Sequence, residues 1–368
     1  MNDTRPFAVV TGGSSGIGLE LARQFATHGY DVLLAAEEET ELQQARAQLT
    51  GEGATITTHA SDLATEEGVD SLIGAIGGRD VDALCVNAGY GLGGPFTETD
   101  LRTELRMVDL NCRGAVQLTK PVAQRMVARG QGRILFTSSI AGTMPGTFEA
   151  VYASTKAFDR WFAQALREEL KDTGVTVTAL MPSTTETNFF RRADMMDTKA
   201  GTQKKDSPEV VAKAGFDALM AGKDHVVPTA KNKVMAFVAD KISDPLGAKM
   251  HRGLSEPGSA GKGGGSGAMP IAAGVAALGV GAALFAHWRS GRNGNEESAK
   301  AMPAATAADR TSDAPAVGTP ARTGTTSAAM GVAPLPADAP TATPVGSDPA
   351  ATPPAAEVPA GEEVRVGA

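Results

Sequence analysis

The chain has 368 residues, with 34 Lys+Arg against 42 Asp+Glu and a formal net charge of −8. That balance, with no dominant basic stretch, argues against a nucleic-acid partner. The five histidines are scattered and the two cysteines, Cys85 and Cys112, lie far apart in apolar contexts. No metal is therefore expected, and the cysteines read as buried free thiols of a reducing compartment.

The first half alternates short apolar runs with helical patterns. Phe7 to Val10 reads as a buried strand, and Ile17 to Thr27 as a helix with Leu21, Ala22 and Phe25 on one face. Asp31 to Ala36 is the next strand and Glu39 to Leu49 the next helix. Strands follow at Ala54–His59, Val81–Val86, Arg133–Thr137 and Thr176–Met181. Repeated strand–helix units predict an α/β fold, a doubly wound parallel sheet of Rossmann type with helices on both faces. In such sheets ligands sit beyond the carboxyl ends of the strands, where the polar motifs of this chain cluster.

The first strand runs into Thr11-Gly12-Gly13-Ser14-Ser15-Gly16-Ile17-Gly18. Glycines permit a tight turn and let backbone N–H groups approach a pyrophosphate at a helix N-terminus. The spacing, G-x-x-x-G-x-G, differs from the general dinucleotide fingerprint, but its position between strand and helix is the confirming context. Glu37 follows the second strand, beside Glu38 and Glu39. A carboxylate there accepts hydrogen bonds from a ribose 2′-OH and repels a 2′-phosphate. No Arg or Lys is close in sequence, which favours NAD over NADP. Two alternatives stay open: the glutamates cap the next helix, or a basic residue distant in sequence receives the phosphate.

Tyr152 and Lys156 are four apart on a helical pattern and so share a face. An ammonium beside a phenol favours the phenolate, and a tyrosine so tuned can pass a proton to or from a carbonyl or alcohol oxygen. The apolar positions Phe158, Trp161, Phe162, Ala165, Leu166 and Leu170 predict a buried stripe on that helix. Ser139 lies thirteen residues before Tyr152 at a strand end, where its hydroxyl can bond the reacting oxygen or simply serve the turn.

Taken in order, Thr11-Gly12-x-x-x-Gly16-Ile17-Gly18, Asp62-Leu63, Asn87-Ala88-Gly89, Asn111, Ser139, Tyr152-x-x-x-Lys156 and Pro182 with Thr187 resemble the short-chain dehydrogenase/reductase family. The likeness spans residues 7 to about 190, and Ser207-Pro208-Glu209 to about Leu246 resembles the variable C-terminal part of some members. The resemblance implies an NAD(P)-dependent oxidoreductase interconverting an alcohol and a ketone or aldehyde, and a homo-oligomer. It implies that Gly12, Ser14, Ser15, Gly16, Ile17 and Gly18 hold the cofactor's phosphates, that Asp62 and Leu63 meet the adenine, and that Asn87, Ala88 and Gly89 line the cofactor cleft. Asn111 would hold a water linking Lys156 to solvent, Ser139 would orient the carbonyl, and Tyr152 would be the acid/base. Lys156 would lower the tyrosine's pKa and bind ribose. Pro182, Thr185 and Thr187 would face the carboxamide or a phosphate. Ser183 departs from the family's usual glycine and sets a side chain beside the nicotinamide.

The loops Ala141–Glu149 and Phe189–Asp206 are where the family builds its substrate pocket. Met144, Phe148, Phe189, Phe190, Met195 and Met196 there suggest a hydrophobic small-molecule substrate. A mobile surface lid with ordinary packing residues is the competing reading. An alternative function from another class is a catalytically silent NAD-binding module tethered to a membrane, against which the intact Ser139, Tyr152 and Lys156 argue.

Composition changes sharply toward the C-terminus. The oxidoreductase domain is expected over 1–255 and a flexible Gly/Ser linker over 256–268. Residues 269–288 read either as a transmembrane anchor or as a soluble Ala-rich helix. Arg289 to Ala368 contains no Phe, Tyr, Trp or Ile and reads as a disordered tail. No signal-peptide core precedes Phe7, and the catalytic domain is expected in the cytoplasm.

Overall fold

The computed structural model describes residues 5–261, apart from Glu52 and Asp240. In chain order the first half runs β1 (Phe7–Thr11), α1 (Gly16–Thr27), β2 (Asp31–Ala36), α2 (Glu39–Leu49), β3 (Ile56–Ala60), α3 (Glu66–Ile76), β4 (Ala83–Val86), α4 (Leu101–Val108), a π-helical turn (Asp109–Gly114) and α5 (Ala115–Arg129). Next come β5 (Gly132–Thr137), a 3-10 turn (Ile140–Thr143), α6 (Ala150–Glu169), β6 (Val175–Leu180), α7 (Phe189–Arg192) and α8 (Lys199–Thr202). The described chain ends with α9 (Pro208–Met220), β7 (His225–Val226), α10 (Ala230–Ala239), α11 (Asp244–Ser255) and a 3-10 turn (Ser259–Gly261).

All seven strands form one parallel sheet in the order β3-β2-β1-β4-β5-β6-β7. The strands read as unbroken apolar runs because both faces are covered. Alternation along each strand then divides the core in two. On one face Phe7, Val9, Leu84, Val86, Ile134 and Phe136 pack with Val69 and Leu72 of α3 and Leu118, Val122 and Met126 of α5. On the other, Ala8, Val10, Val32, Leu34 and Leu135 pack with Leu21 and Phe25 of α1, Leu42 of α2 and Phe216 of α9.

Strand order reverses between β1 and β4. The crossovers from β1 run outward to β2 and β3, and those from β4 run the other way, so the connections part at this point and leave a crevice at the carboxyl ends.

Two expectations change. The stripe predicted on α6 is buried only in part: Phe162, Leu166 and Leu170 pack against the core, whereas Phe158 is 38% and Trp161 63% exposed. The buried face carries Tyr152, Ala153, Thr155, Lys156, Asp159 and Ala163, so polar residues occupy ground that hydrophobicity alone assigns to aromatics. The ordered domain also continues past 255. Gly258 N donates to Asp197 Oδ2 at 2.6 Å, Ala260 N donates to the Asp197 carbonyl at 2.9 Å, and Lys199 N donates to Ser259 Oγ at 3.0 Å. Residues 256–261 are thus fastened to the domain. The rest of the expected linker, the 269–288 segment and the 289–368 tail lie outside the described residues. Among the described residues no helix is long and apolar enough to cross a membrane.

Phe25 tests the second core layer. It is fully buried, with Tyr30 and Phe216 edge-on at ring-centroid distances of 5.1 Å each. Phe25→Ala is expected to cost about 3–5 kcal/mol, read from urea unfolding; a loss under about 1 kcal/mol would contradict this packing.

Candidate active site

One cleft of about 1020 Å³ runs along the carboxyl ends of the sheet. Its lining joins the glycine turn (Gly12, Ser14, Ser15, Gly16, Ile17, Gly18), Glu37, Asp62, Leu63 and Asn87–Gly89 to Ser139, Tyr152, Lys156, Pro182, Ser183, Thr185 and Thr187. Residues separated by up to 175 positions therefore face one space because each sits just past a strand or at a helix start.

The turn is built from backbone constraints. Gly12 and Gly16 have φ of 63° and 57°, a region that side chains penalise. A Cβ on Gly18 would lie 2.1 Å from the Gly12 carbonyl oxygen. Ser15 stands at the N-cap of α1 without a side-chain cap bond, and the first turn holds no acid. The N–H groups that begin α1 thus lack a side-chain acceptor from their own cap and can receive an anion. The turn, the open helix start and the cleft together fit a dinucleotide phosphate. At the mouth, Ser14 Oγ donates to Glu41 Oε2 at 3.0 Å and Arg192 Nη2 donates to Glu41 Oε1 at 2.8 Å, so α7 is tied across the turn to α2.

The acidic end holds a residue that sequence reasoning missed. Arg106 of α4 donates through Nη2 to Glu37 Oε1 at 2.9 Å and through Nη1 to Asp62 Oδ2 at 2.7 Å. Glu37 does not cap α2; it reaches toward a guanidinium 69 positions away. No local signal marks Arg106, because the pairing exists only once the fold brings its side chain to Glu37 and Asp62, which follow β2 and β3. Asp62 Oδ1 also accepts from Ala64 N at 2.9 Å.

At the other end, Asn111 lies in the π-helical turn, a feature common at functional sites. Its Nδ2 donates to the Tyr90 carbonyl at 3.0 Å and to Thr155 Oγ1 at 2.9 Å, and its Oδ1 accepts from Tyr90 N at 3.2 Å. The amide is therefore spent in clamping the Gly89–Tyr90 strand end to α6. Both Nδ2 hydrogens are thus taken, and a water at Asn111 would be held by Oδ1 or the main chain. Gly89 is needed beside it, since a Cβ there would stand 2.9 Å from Asn111 Oδ1 and 3.3 Å from Lys156 Nζ.

Tyr152, Lys156 and Ser139 are all buried. Ser139 Oγ accepts from Ala141 N at 3.1 Å and lies 3.4 Å from the Pro182 carbonyl oxygen, to which it donates. Lys156 Nζ donates to the Thr137 carbonyl at 2.9 Å and to Asp159 Oδ2 at 3.0 Å. Burial is the main influence on Tyr152 and raises its pKa well above the usual phenol value. Glu149 and, more weakly, Asp159 add to that rise, and a hydrogen bond with Ser139 opposes it. The expected lowering by Lys156 is not what this arrangement produces, because the ammonium is turned to a buried carboxylate and a carbonyl. Asp159 was also missed: it follows Lys156 by three residues and its carboxyl pKa is raised by burial against the pull of that lysine.

Met144, Phe189 and Phe190 also line the cleft, joined by Met235 of α10 and by Met250 and Leu254 of α11. Phe148 is not part of this lining; its ring receives Arg252 at 5.3 Å. Met195 is buried in a separate small cluster with Phe190, Ala193 and Ala200, and Met196 is about half exposed. The rings of Tyr152 and Phe189 lie 5.1 Å apart, over Gly91, where a Cβ would come within 2.6 Å of Phe189 Cζ.

Comparison with known proteins bears on this cleft. The family profile described as short chain dehydrogenase matches residues 6–197. A very-long-chain 3-oxoacyl-CoA reductase of Neurospora crassa is 35% identical over 199 residues, covering 52% of this chain and 60% of that protein. A 1-deoxy-11-beta-hydroxypentalenate dehydrogenase of Streptomyces exfoliatus is 34% identical over 242 residues, 64% of this chain and 87% of that protein. Among solved structures, a short-chain dehydrogenase from Sphingobium yanoikuyae in complex with NADPH matches with a TM-score of 0.58 and 26% identity, covering 65% of this chain and 96% of that one. The L-sorbose reductase of Gluconobacter frateurii, complexed with NADPH and L-sorbose, matches at 0.54 and 26%, covering 61% and 95%. The match takes in β1 through β6, the glycine turn and every residue of the buried Asn111, Ser139, Tyr152 and Lys156 group: this chain belongs to the short chain dehydrogenase family.

Proposed function

We propose that the chain is an NAD(P)-dependent oxidoreductase that interconverts an alcohol and a ketone or aldehyde on a hydrophobic small molecule. The observation that carries this reading is the burial of Ser139, Tyr152 and Lys156 in one cleft with an open glycine turn. When bound, the nicotinamide supplies or accepts the hydride. In the reducing direction the Tyr152 phenol donates its proton to the carbonyl oxygen, and in the oxidising direction it takes the proton back. Its raised pKa keeps the phenol protonated across the neutral range, ready as an acid. Ser139, already bonded to the phenol, turns its hydroxyl to the same oxygen. Lys156 has three N–H donors, of which Thr137 and Asp159 take two; the third is left for a ribose hydroxyl. Met144, Phe189, Met250 and Leu254 hold the apolar body of the substrate and exclude water.

Tyr152→Phe removes the transferable proton and keeps the ring. It is expected to lower kcat for carbonyl reduction by about 10²–10⁴-fold with cofactor binding retained. Equal turnover by both proteins would remove the acid/base role and favour a silent nucleotide-binding module.

Cofactor choice rests on Arg106. Its pairing with Glu37 and Asp62 offsets the carboxylates that would repel a 2′-phosphate, and its guanidinium can itself bind that group. Both NAD and NADP are therefore accommodated, where sequence proximity alone favours NAD. Arg106→Leu is expected to weaken NADPH binding about tenfold or more relative to NADH, because a charge-assisted hydrogen bond contributes about 1.5–3 kcal/mol. Fluorescence titration with each cofactor reads this, and equal changes for the two would rule it out.

We infer a homo-oligomer. It is supported by exposed Leu101 and Leu105 on α4 and by exposed Phe158 and Trp161 on α6, two helices packed together. Elution at monomer size in gel filtration would count against it.

A further inference from the structure

Helix α11, the last helix longer than one turn among the described residues, lies beyond the segment matched by the family profile, yet it reaches the segment leading into the Tyr152 helix. Ser255 Oγ donates to Glu149 Oε2 at 2.6 Å, and His251 Nε2 stands 3.5 Å from the same oxygen. His251 Nδ1 faces the Thr147 carbonyl at 3.0 Å, and Thr147 Oγ1 donates to the Ala248 carbonyl at 2.9 Å. Glu149, His251 and Ser255 are all buried, and all line the substrate end of the cleft.

Hydrogen-bond chemistry constrains the charge state. A ring nitrogen facing a carbonyl must carry a proton, so Nδ1 is the donor. In a neutral imidazole Nε2 then presents a lone pair, which would face a carboxylate oxygen unless one further proton lies on one of the two groups. The pair therefore requires a proton to be attractive. The turn it secures is strained: Phe148, between Thr147 and Glu149, has φ of 67°, a left-handed value that a phenylalanine holds only under constraint.

We propose that Glu149, His251 and Ser255 form a proton-dependent clasp that holds α11 against Thr147–Glu149 and so positions the substrate end of the cleft. His251 and Ser255 are positioning residues: they act through Glu149 and the turn before α6. The proposal deepens the oxidoreductase reading by naming what closes its pocket. Tyr152 from α6 feels the Glu149 charge, and Lys249 of α11 and Lys199 of α8 lie on the lining of the same cleft. Arg252 is turned to the Phe148 ring and to Glu256, and Lys249 and Lys199 are exposed at the cleft mouth. Burial raises the Glu149 pKa against the opposing pull of His251 and Ser255. A group raised in the folded state stabilises its contact fully below the unfolded value and loses that contribution as pH rises through the folded one. The clasp is accordingly closed at lower pH and opens as pH rises.

Hydrogen exchange of the full chain, without substrate or cofactor and corrected for intrinsic rates, tests this. Protection of 244–255 in wild type is expected to fall about tenfold as pH rises from about 4.5, the ordinary carboxyl value, to about pH 9, while the β5 segment 132–137 stays constant. Glu149→Gln keeps a donor toward Nε2 and is expected to flatten the profile. His251→Ala is expected to show low protection of 244–255 at every pH. With a ketone substrate, wild-type KM should rise over the same range and that of Glu149→Gln should not. A flat wild-type exchange profile, or Glu149→Gln tracking wild type, overturns the clasp. If Glu149→Gln loses β5 protection and is unfolded, His251→Ala decides: a wild-type pH dependence in that variant overturns it. Exchange needs no turnover, so failure to find a substrate bears on the oxidoreductase reading alone.

Discussion

The Thr11 hydroxyl holds the two halves of the sheet together at the point where the site forms. Buried at the end of β1, its Oγ1 donates to the Cys85 carbonyl at 3.2 Å and accepts from Asn87 N and Ala88 N at 2.9 Å each. Asn87 answers by donating from Nδ2 to the Thr11 carbonyl at 3.0 Å. β1 and β4 are neighbours whose outgoing connections diverge, so their ends would otherwise carry unpaired backbone groups at the floor of the cleft. With these bonds made, the glycine turn and the Asn87–Gly89 segment present fixed walls. Everything placed on them, from the phosphate turn to the Gly89–Asn111–Lys156 contact, inherits that geometry.

The site is an unusually polar interior at the start of α6. Tyr152, Lys156 and Asp159 of α6 and Glu149 just before it are all buried, so hydrogen bonds and charge pairs must replace water. Lys156 donates to Asp159 Oδ2, while Asp159 Oδ1 has no hydrogen-bond partner among the described residues. Burial, with the nearby Glu149 and Asp159 charges, shifts the Tyr152 phenol upward, and only the Ser139 hydrogen bond opposes it. A bound ribose hydroxyl would take the remaining N–H of Lys156 and add to its constraints.

The cofactor end follows a different logic. Glu37, Asp62 and Arg106 are more exposed, and their pairing contributes little to stability. Under the proposed function its consequence is for recognition, since the same three side chains would present both a carboxylate and a guanidinium to an incoming ribose.

Strands, the first helices and the α/β fold class were legible in the sequence because burial on both sheet faces forces continuous apolar runs with turns at their ends. β2 and α2 begin and end where periodicity places them. The glycine turn and the spacing of Ser139, Tyr152 and Lys156 were legible for a similar reason: each depends on backbone geometry within a few residues. Tertiary structure alone decided the rest. Arg106 meets Glu37, His251 meets Glu149 and Arg192 meets Glu41 across separations that leave no periodic trace. It also decided that Trp161 points outward and Asp159 inward, because a helix face is set by what packs on it and not by hydrophobicity alone. Sequence by itself picked out the residues proposed to act at the reacting oxygen. Which charges surround that chemistry, and what closes over it, depend on contacts between distant elements whose free energies exist only in the folded chain.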